Sequence, residues 1–343
     1  MVGKVEDLRT IYLHIGQHKT GTTAIQDFLQ LNQNELSRDA VLYPSTGYVI
    51  NAQHKLSWSV KSVIPKWVRN QFPEFSVTDK GRTLFRELNR EINASDASTI
   101  VISSENFYID SDASLLADYL SSYKVKIIAY LRRQDALVQS LYLQALKDPY
   151  LALKLNAYEY YRQIKYPLNC IDQIDEWISK FGKENVIVRP YRKTAFNSGS
   201  LINDFMSAIG ISNLDDYREL PQRSNRRLHP ALAHFLVKLY ERNLNIDERK
   251  EIVGYVQEYN EKIDSSKLHS DPGVLSEIQR QEILERFNNV NRDLTQLYPQ
   301  SDGRFFGPLD VDDGDKTLIE ASWRIIEQGL NDYLAERMMH YTE

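Results

Sequence analysis

Eight consecutive residues, Gly16-Gln17-His18-Lys19-Thr20-Gly21-Thr22-Thr23, gather two glycines, a lysine and three threonines into one short stretch. A glycine-rich turn that leads from a strand into a helix aims several backbone N–H groups at one point. The positive end of the helix dipole adds to its attraction for phosphate. In nucleotide triphosphatases the spacing is GxxxxGK[ST], with the lysine directly after the second glycine and the hydroxyl residue on magnesium. Here Gly16 and Gly21 keep the glycine spacing, but Thr22 stands where that lysine belongs and the lysine comes earlier, as Lys19. Thr23 keeps the hydroxyl position. The stretch reads as a phosphate cradle with altered chemistry. A second reactive candidate is His54, in the polar run Asn51-Ala52-Gln53-His54-Lys55. Its ring titrates near neutrality and can act as a base or touch a bound molecule. Tyr158, Tyr160, Tyr161 and Tyr166 crowd together among 21 tyrosines. Such rings suit a sugar face, and they suit a helix interface equally well.

The elements that must carry these residues are legible around them. Ile11-Tyr12-Leu13-His14-Ile15 is apolar and β-branched and ends at Gly16, as a buried strand would. After the loop, residues 24–33 place Ile25, Phe28 and Leu29 on one helical face. Residues 40–75 hold Pro44, Gly47, Pro65 and Pro73 and little periodicity, which suits substrate-contacting loops. A helix is expected over 78–93, a strand over 98–104, and a strand over 124–131 whose apolar run is nearly continuous. Helices over 132–147 and 169–181, a strand over 185–191 and a helix over 200–209 follow, with Gly182 and Gly210 as helix stops. Strands alternating with helices predict an α/β chain with a central parallel sheet covered on both faces. From Pro230 onward the pattern turns helical and charged. Residues 8–343 are expected to form a single domain, with an α/β core over 10–230 and a helical C-terminal elaboration over 230–343.

Bulk properties exclude several classes. The chain has 343 residues, 42% hydrophobic and 26% charged, with a formal net charge of −5. No overall basic field is present to grip a nucleic-acid backbone, so an anionic ligand must be held by a local cluster of donors. Cys170 is the single cysteine, which rules out an intrachain disulfide and a cysteine metal site. No run approaches the length of a membrane span. The opening MVGKVEDLRT is polar and of mixed charge, unlike a signal peptide, and a cytoplasmic location is expected.

The pattern Gly16-Gln17-His18-Lys19-Thr20-Gly21-Thr22-Thr23 resembles the 5′-phosphosulfate loop of the sulfotransferase family. That family uses 3′-phosphoadenosine 5′-phosphosulfate (PAPS) as sulfonate donor. Tyr130-Leu131-Arg132-Arg133-Gln134-Asp135-Ala136-Leu137-Val138-Gln139-Ser140 resembles its 3′-phosphate motif, an arginine at a strand end and a serine eight residues later. An arginine fork suits a phosphate because it donates two parallel hydrogen bonds. Val101-Ile102-Ser103-Ser104-Glu105-Asn106-Phe107 is similar to the strand that ends beside the sulfonate, with Glu105 where cytosolic members place a histidine base. Ser103 stands in place of the lysine there, and a carboxylate base points toward carbohydrate-directed members. Leu220-Pro221-Gln222-Arg223-Ser224-Asn225-Arg226-Arg227 is compared with the late loop that closes over the donor, although it lacks the KGxxGDWK pattern.

The resemblance implies a three-layer P-loop fold. It also implies in-line transfer of a sulfonate from PAPS to a hydroxyl of an acceptor, a carbohydrate or glycolipid in the first instance. Glu105, or His54 in its stead, would be the base and Lys19 would meet charge on the leaving phosphate. Gly16 to Thr23, Arg132, Ser140 and Arg226 would hold the donor, and no metal is required. Two other readings stay open, a P-loop kinase or nucleotide triphosphatase and a non-catalytic binding protein of the same fold. The sequence leaves oligomeric state open.

Overall fold

In the computed structural model, residues 8–73, 79–221, 227–242, 244–263, 273–309, 323–332 and 335 are described. Strand β1 (Thr10–His14) leads through the glycine-rich loop into α1 (Thr22–Leu31), then α2 (Gln33–Arg38) and the short β2 (Val41–Leu42). Helices α3 (His54–Trp58), α4 (Lys66–Gln71) and α5 (Asp79–Asn93) precede β3 (Thr99–Ser103). Next come α6 (Ala113–Tyr119), β4 (Lys124–Leu131), α7 (Gln134–Leu146), α8 (Ala157–Gln163) and α9 (Cys170–Phe181). The chain continues through β5 (Val186–Pro190), α10 (Leu201–Ala208), α11 (Pro230–Tyr240), α12 (Ile246–Lys262), α13 (Glu277–Arg286) and α14 (Asn288–Leu297). The strands form one five-stranded sheet in the order β2-β3-β1-β4-β5, with every pairing parallel. A parallel sheet flanked by helices is the α/β architecture that the alternating pattern predicts.

Both faces of this sheet are buried, which explains strands with few polar residues. On one face Tyr12, Val101, Ile128 and Tyr130 pack with Ile25, Phe28 and Leu29 of α1 and with Phe205, Met206 and Ile209 of α10. On the opposite face Ile11, Leu13, Ile100, Ile102, Ile127 and Ala129 are fully enclosed. Helix α9 lies against β4 and β5. Its start is capped by Asn169, and its stop is Gly182 at φ 82°, the glycine expected there.

The chain divides into two compact units. The first comprises Met1–Arg133, Pro167–Pro221 and Asn289–Gly307 and contains the whole sheet. The second comprises Gln134–Tyr166, Gln222–Asn288 and Pro308–Glu343. Its described helices include α7, α8, α11, α12 and α13.

Two expectations are corrected locally. The helix expected over 24–33 begins at Thr22 and breaks at Asn32, whose side chain donates to Phe28 O at 3.0 Å and to Arg218 O at 3.0 Å. Asn32 also accepts from Arg218 N at 2.7 Å, so it serves a distant segment instead of continuing the helix. The stretch 40–75 is more ordered than its prolines suggest, since it supplies β2, α3 and α4.

Candidate functional site

The loop between β1 and α1 is shaped by three residues in the left-handed region, Gly16 (φ 50°), Lys19 (φ 68°) and Gly21 (φ 76°). A Cβ on Gly16 would stand 2.5 Å from Thr22 Cγ2, so only glycine fits against the start of α1 here, while Glu105 Cβ would lie at an ordinary contact distance of 3.5 Å. Thr20 Oγ1 donates to Gln17 O at 2.6 Å and closes the turn on itself. Gly21 is the N-cap of α1 and offers no side chain to the first turn, which also contains no acidic residue. The N-terminal end of α1 therefore keeps its attraction for an anion. Thr22 is buried, whereas Thr23 is exposed.

Arg132 is fastened to this loop. Its Nη1 donates to Lys19 O at 2.9 Å, and its guanidinium lies 5.6 Å from the centroid of the Tyr191 ring. Its backbone N–H donates to Gln17 Oε1 at 2.8 Å, while Gln17 Nε2 reaches Tyr108 Oη at 3.4 Å. Gln17 is thus turned inward and ties the end of β4 to the loop. Tyr191 N donates to Leu131 O at 2.7 Å, extending the β5 side of the sheet by one residue toward Gly21.

Glu105 opens a single 3-10 turn, Glu105–Phe107, directly after β3, and Ser104 caps that turn by accepting from Asn106 N at 3.2 Å. Gln26 Nε2 donates to Glu105 Oε2 at 3.2 Å. Burial opposes ionisation of Glu105. The nearby His54 and His18 rings, a backbone N–H and Gln26 outweigh it and hold the carboxyl below its ordinary range. His54, the first residue of α3, brings Nδ1 to 2.8 Å from Ser104 Oγ and 3.0 Å from Asn106 Nδ2. With the Asn106 amide nitrogen donating to Nδ1, the neutral ring carries its proton on Nε2. His54 also stacks on Trp58 at 5.9 Å.

Burial pushes the His54 ring below its usual range, with Glu105 opposing. His18 is pushed down by burial as well. Glu105 opposes that shift and Lys19, Lys61 and His54 add to it. At neutral pH the cluster is one carboxylate among two neutral imidazoles, next to the lysine of the loop. Lys19, His18, Glu105 and His54 are brought into one neighbourhood within the first unit.

Ser140 lies on α7 in the second unit, half-buried, and Arg132 belongs to the first. Gln139, its neighbour, accepts from Arg227 Nη2 at 3.2 Å and from Val274 N at 3.1 Å. Arg226 falls outside the described residues. The tyrosine cluster lies in the second unit, with Tyr158 against Tyr161 at 5.8 Å and Tyr160 against Tyr142 at 5.7 Å. The second contact packs α8 onto its neighbour α7, and the first lies within α8.

No family model matches the chain. An uncharacterized protein of Archaeoglobus fulgidus is 28% identical over 210 residues, covering 58% of this chain and 53% of that protein. The chain thus spans about half the length of the curated relative it matches. Among solved structures it is similar to a sulfotransferase from Alicyclobacillus acidocaldarius, with a TM-score of 0.41 and 17% identity, over 68% of this chain and 96% of that one. It is also similar to retinol dehydratase in complex with androsterone and inactive cofactor PAP, with a TM-score of 0.27 and 13% identity, over 96% of this chain and 80% of that one.

Three residues of this neighbourhood escape a reading of the sequence. Gln26, Asn106 and Tyr191 carry no spacing signal of their own. Gln26 could have been found as a polar residue between Ile25 and Phe28 on a helix that otherwise faces the core.

Proposed function

We propose that this chain is a sulfotransferase that uses PAPS as donor and an acceptor hydroxyl, of a carbohydrate or glycolipid, as receiver. The observation that carries this reading is the loop itself. Lys19 precedes Gly21, the α1 N-terminus is free of acidic residues, and Glu105 packs against Gly16. The donor supplies a sulfonate whose bond to the 5′-phosphate oxygen breaks in line as a bond from sulfur to the acceptor oxygen forms. Charge that gathers on the leaving phosphate oxygen is met by Lys19, by backbone N–H groups of Thr20 to Thr23 and by the hydroxyls of Thr22 and Thr23. Glu105 takes the proton from the acceptor hydroxyl. His54, neutral and with its Nε2–H as donor, is suited to orient that hydroxyl more than to deprotonate it.

Arg132 is assigned to the donor's 3′-phosphate, and Ser140 and Arg226 stay donor-binding candidates on the sequence resemblance alone. A guanidinium carries five N–H donors, enough to hold the Lys19 carbonyl and a phosphate together. The whole chain, residues 8–343, is taken to act as one transfer domain. A nucleotide triphosphatase is disfavoured by Thr22, which occupies the position of its lysine. Among the described residues no helix is long and apolar enough to cross a membrane, and no acidic, histidine or cysteine cluster could hold a metal.

A labelled-sulfate transfer screen over mono- and oligosaccharides tests the reading. Transfer from PAPS that is lost in Glu105→Gln supports it. Binding of adenosine 3′,5′-bisphosphate without transfer to any acceptor would replace it with a non-catalytic role.

A further inference from the structure

Three polar side chains lie on a sheet face that is otherwise closed by apolar ones. His14 and Ser103 end β1 and β3 and are register partners, which brings His14 Nδ1 to 2.9 Å from Ser103 Oγ. Gln26 reaches down from α1, only 2% exposed, and its Nε2 stands 3.2 Å from Ser103 Oγ and 3.2 Å from Glu105 Oε2. Burying such groups is unfavourable unless each is hydrogen-bonded, and apolar residues would fill the space at lower cost. An amide nitrogen has two N–H groups, and here one goes to Ser103 and the other to the carboxylate. With Ser103 Oγ accepting from Gln26, its own proton is directed to His14 Nδ1. The His14 ring proton then sits on Nε2, among the edge-packed rings of Phe205 at 5.2 Å and Tyr130 at 6.1 Å. That agrees with a buried Nε2 that has aromatic rings and no hydrogen-bond partner around it.

We infer that Gln26 is the positioning residue of the Glu105 carboxylate, and that Ser103 and His14 lock Gln26 into that task. By binding one carboxylate oxygen from beneath, Gln26 fixes the rotation of the group at the mouth of the loop. The inference rests on Glu105 as the base of the proposed reaction, but the hydrogen-bond chain is independent of which acceptor is used. The other groups that act on Glu105 come from separate elements: His54 from α3, His18 from the loop and His14 from β1. Lys19 and Lys61 act on His18 in turn. Gln26 is the member of this set that does not titrate, so its loss changes the carboxylate without adding or removing a charge around it at any pH.

The test uses the whole 343-residue chain and two variants, Gln26→Met and Ser103→Ala. Carbon-13 carboxyl NMR follows the titration of Glu105, assigned with Glu105→Gln. In Gln26→Met the titration is expected to move up by about half a pH unit or more, because a hydrogen bond to the charged form is removed. The acid limb of kcat should move with it, and kcat should fall about tenfold while KM for PAPS stays within about twofold. Ser103→Ala should move both quantities in the same direction by less, and it decides the matter if Gln26→Met fails to fold. A Glu105 titration that stays at its wild-type position in the folded variants overturns the inference, even where sulfonate transfer is found. A titration that moves as expected with no transfer to any acceptor leaves Gln26 in its role and removes the sulfotransferase reading.

Discussion

Lys19 occupies a left-handed backbone conformation that a lysine adopts at a cost of about 1 kcal/mol, and the loop keeps it there beside Arg132. If its charge meets the leaving phosphate, Lys19→Ala should lower kcat about a hundred- to a thousandfold, with the fold retained by circular dichroism. Glu105 gives a pH prediction with a definite sign. A base works ionised, and its carboxyl is held below the ordinary 4.5. Activity should therefore persist through mildly acidic solution, with the acid limb of kcat below pH 4.5. An acid limb near pH 6 would instead assign the base to an imidazole. His14 sets stability in the same range. Burial depresses its ring from 6.5 to about 4, so the unfolded chain binds the extra proton first as pH falls. Its stabilising contribution is full above 6.5 and is lost toward 4, about 3 kcal/mol in all. Urea denaturation at several pH values should show that loss, and His14→Asn should flatten it. Of these residues, Lys19, Glu105 and His54 were legible in the sequence through motif or residue type. Gln26 and Tyr191 were not, because their roles come from partners about eighty and sixty residues away, Glu105 and Arg132.

At the scale of elements, β4 is legible to the residue because a strand buried on both faces must be apolar throughout. From Ile127 to Leu131 the run is unbroken, with Lys124 and Lys126 only at its less buried start, and the expected and observed bounds coincide. Strand β2 is illegible for the opposite reason. Two residues, Val41 and Leu42, carry no period, and only pairing with β3 makes them a strand. Helix α1 began two residues earlier than its apolar stripe indicated, since a glycine N-cap leaves no side-chain signature. That junction makes a prediction of its own. A Cβ on Gly21 would overlap the Leu201 side chain and stand 3.3 Å from the Tyr191 ring, in a backbone conformation that alanine resists. Gly21→Ala should cost about 1–3 kcal/mol of stability and weaken binding of adenosine 3′,5′-bisphosphate, measured by chemical denaturation and calorimetry. Strand β5 and α10 are joined through Asp204, which accepts from Arg189 Nη1 at 2.8 Å, from Tyr130 Oη at 2.7 Å and from Asn197 N at 3.0 Å. Removing that carboxylate in Asp204→Ala should destabilise the chain by about 3 kcal/mol, because three donors lose a buried partner.

For the whole molecule, the parallel α/β class followed from alternation alone, whereas the division into units did not. Each unit is stitched from three separate stretches of chain, and local composition does not mark such boundaries. A ligand that engages only the native protein raises the melting temperature by mass action. At a hundred times its dissociation constant it contributes about 2.7 kcal/mol. Adenosine 3′,5′-bisphosphate should therefore raise Tm in a scanning experiment, whereas ATP with magnesium should not. Equal stabilisation by both would favour the triphosphatase reading.

The interleaving of the two units has a consequence for how the protein is made. The first unit draws on residues 289–307, where Asp302 takes the Arg192 guanidinium at 2.6 Å and the Tyr298 ring receives the Lys183 ammonium. On a ribosome those residues emerge after every strand of the sheet and after α11 to α13. The exposed flank of β5 must wait for them through the synthesis of about a hundred further residues, a delay during which an open sheet edge invites pairing with other chains. Nascent chains stalled before residue 289 should therefore bind chaperones more than chains released past residue 307, as pull-down of stalled ribosome complexes would show.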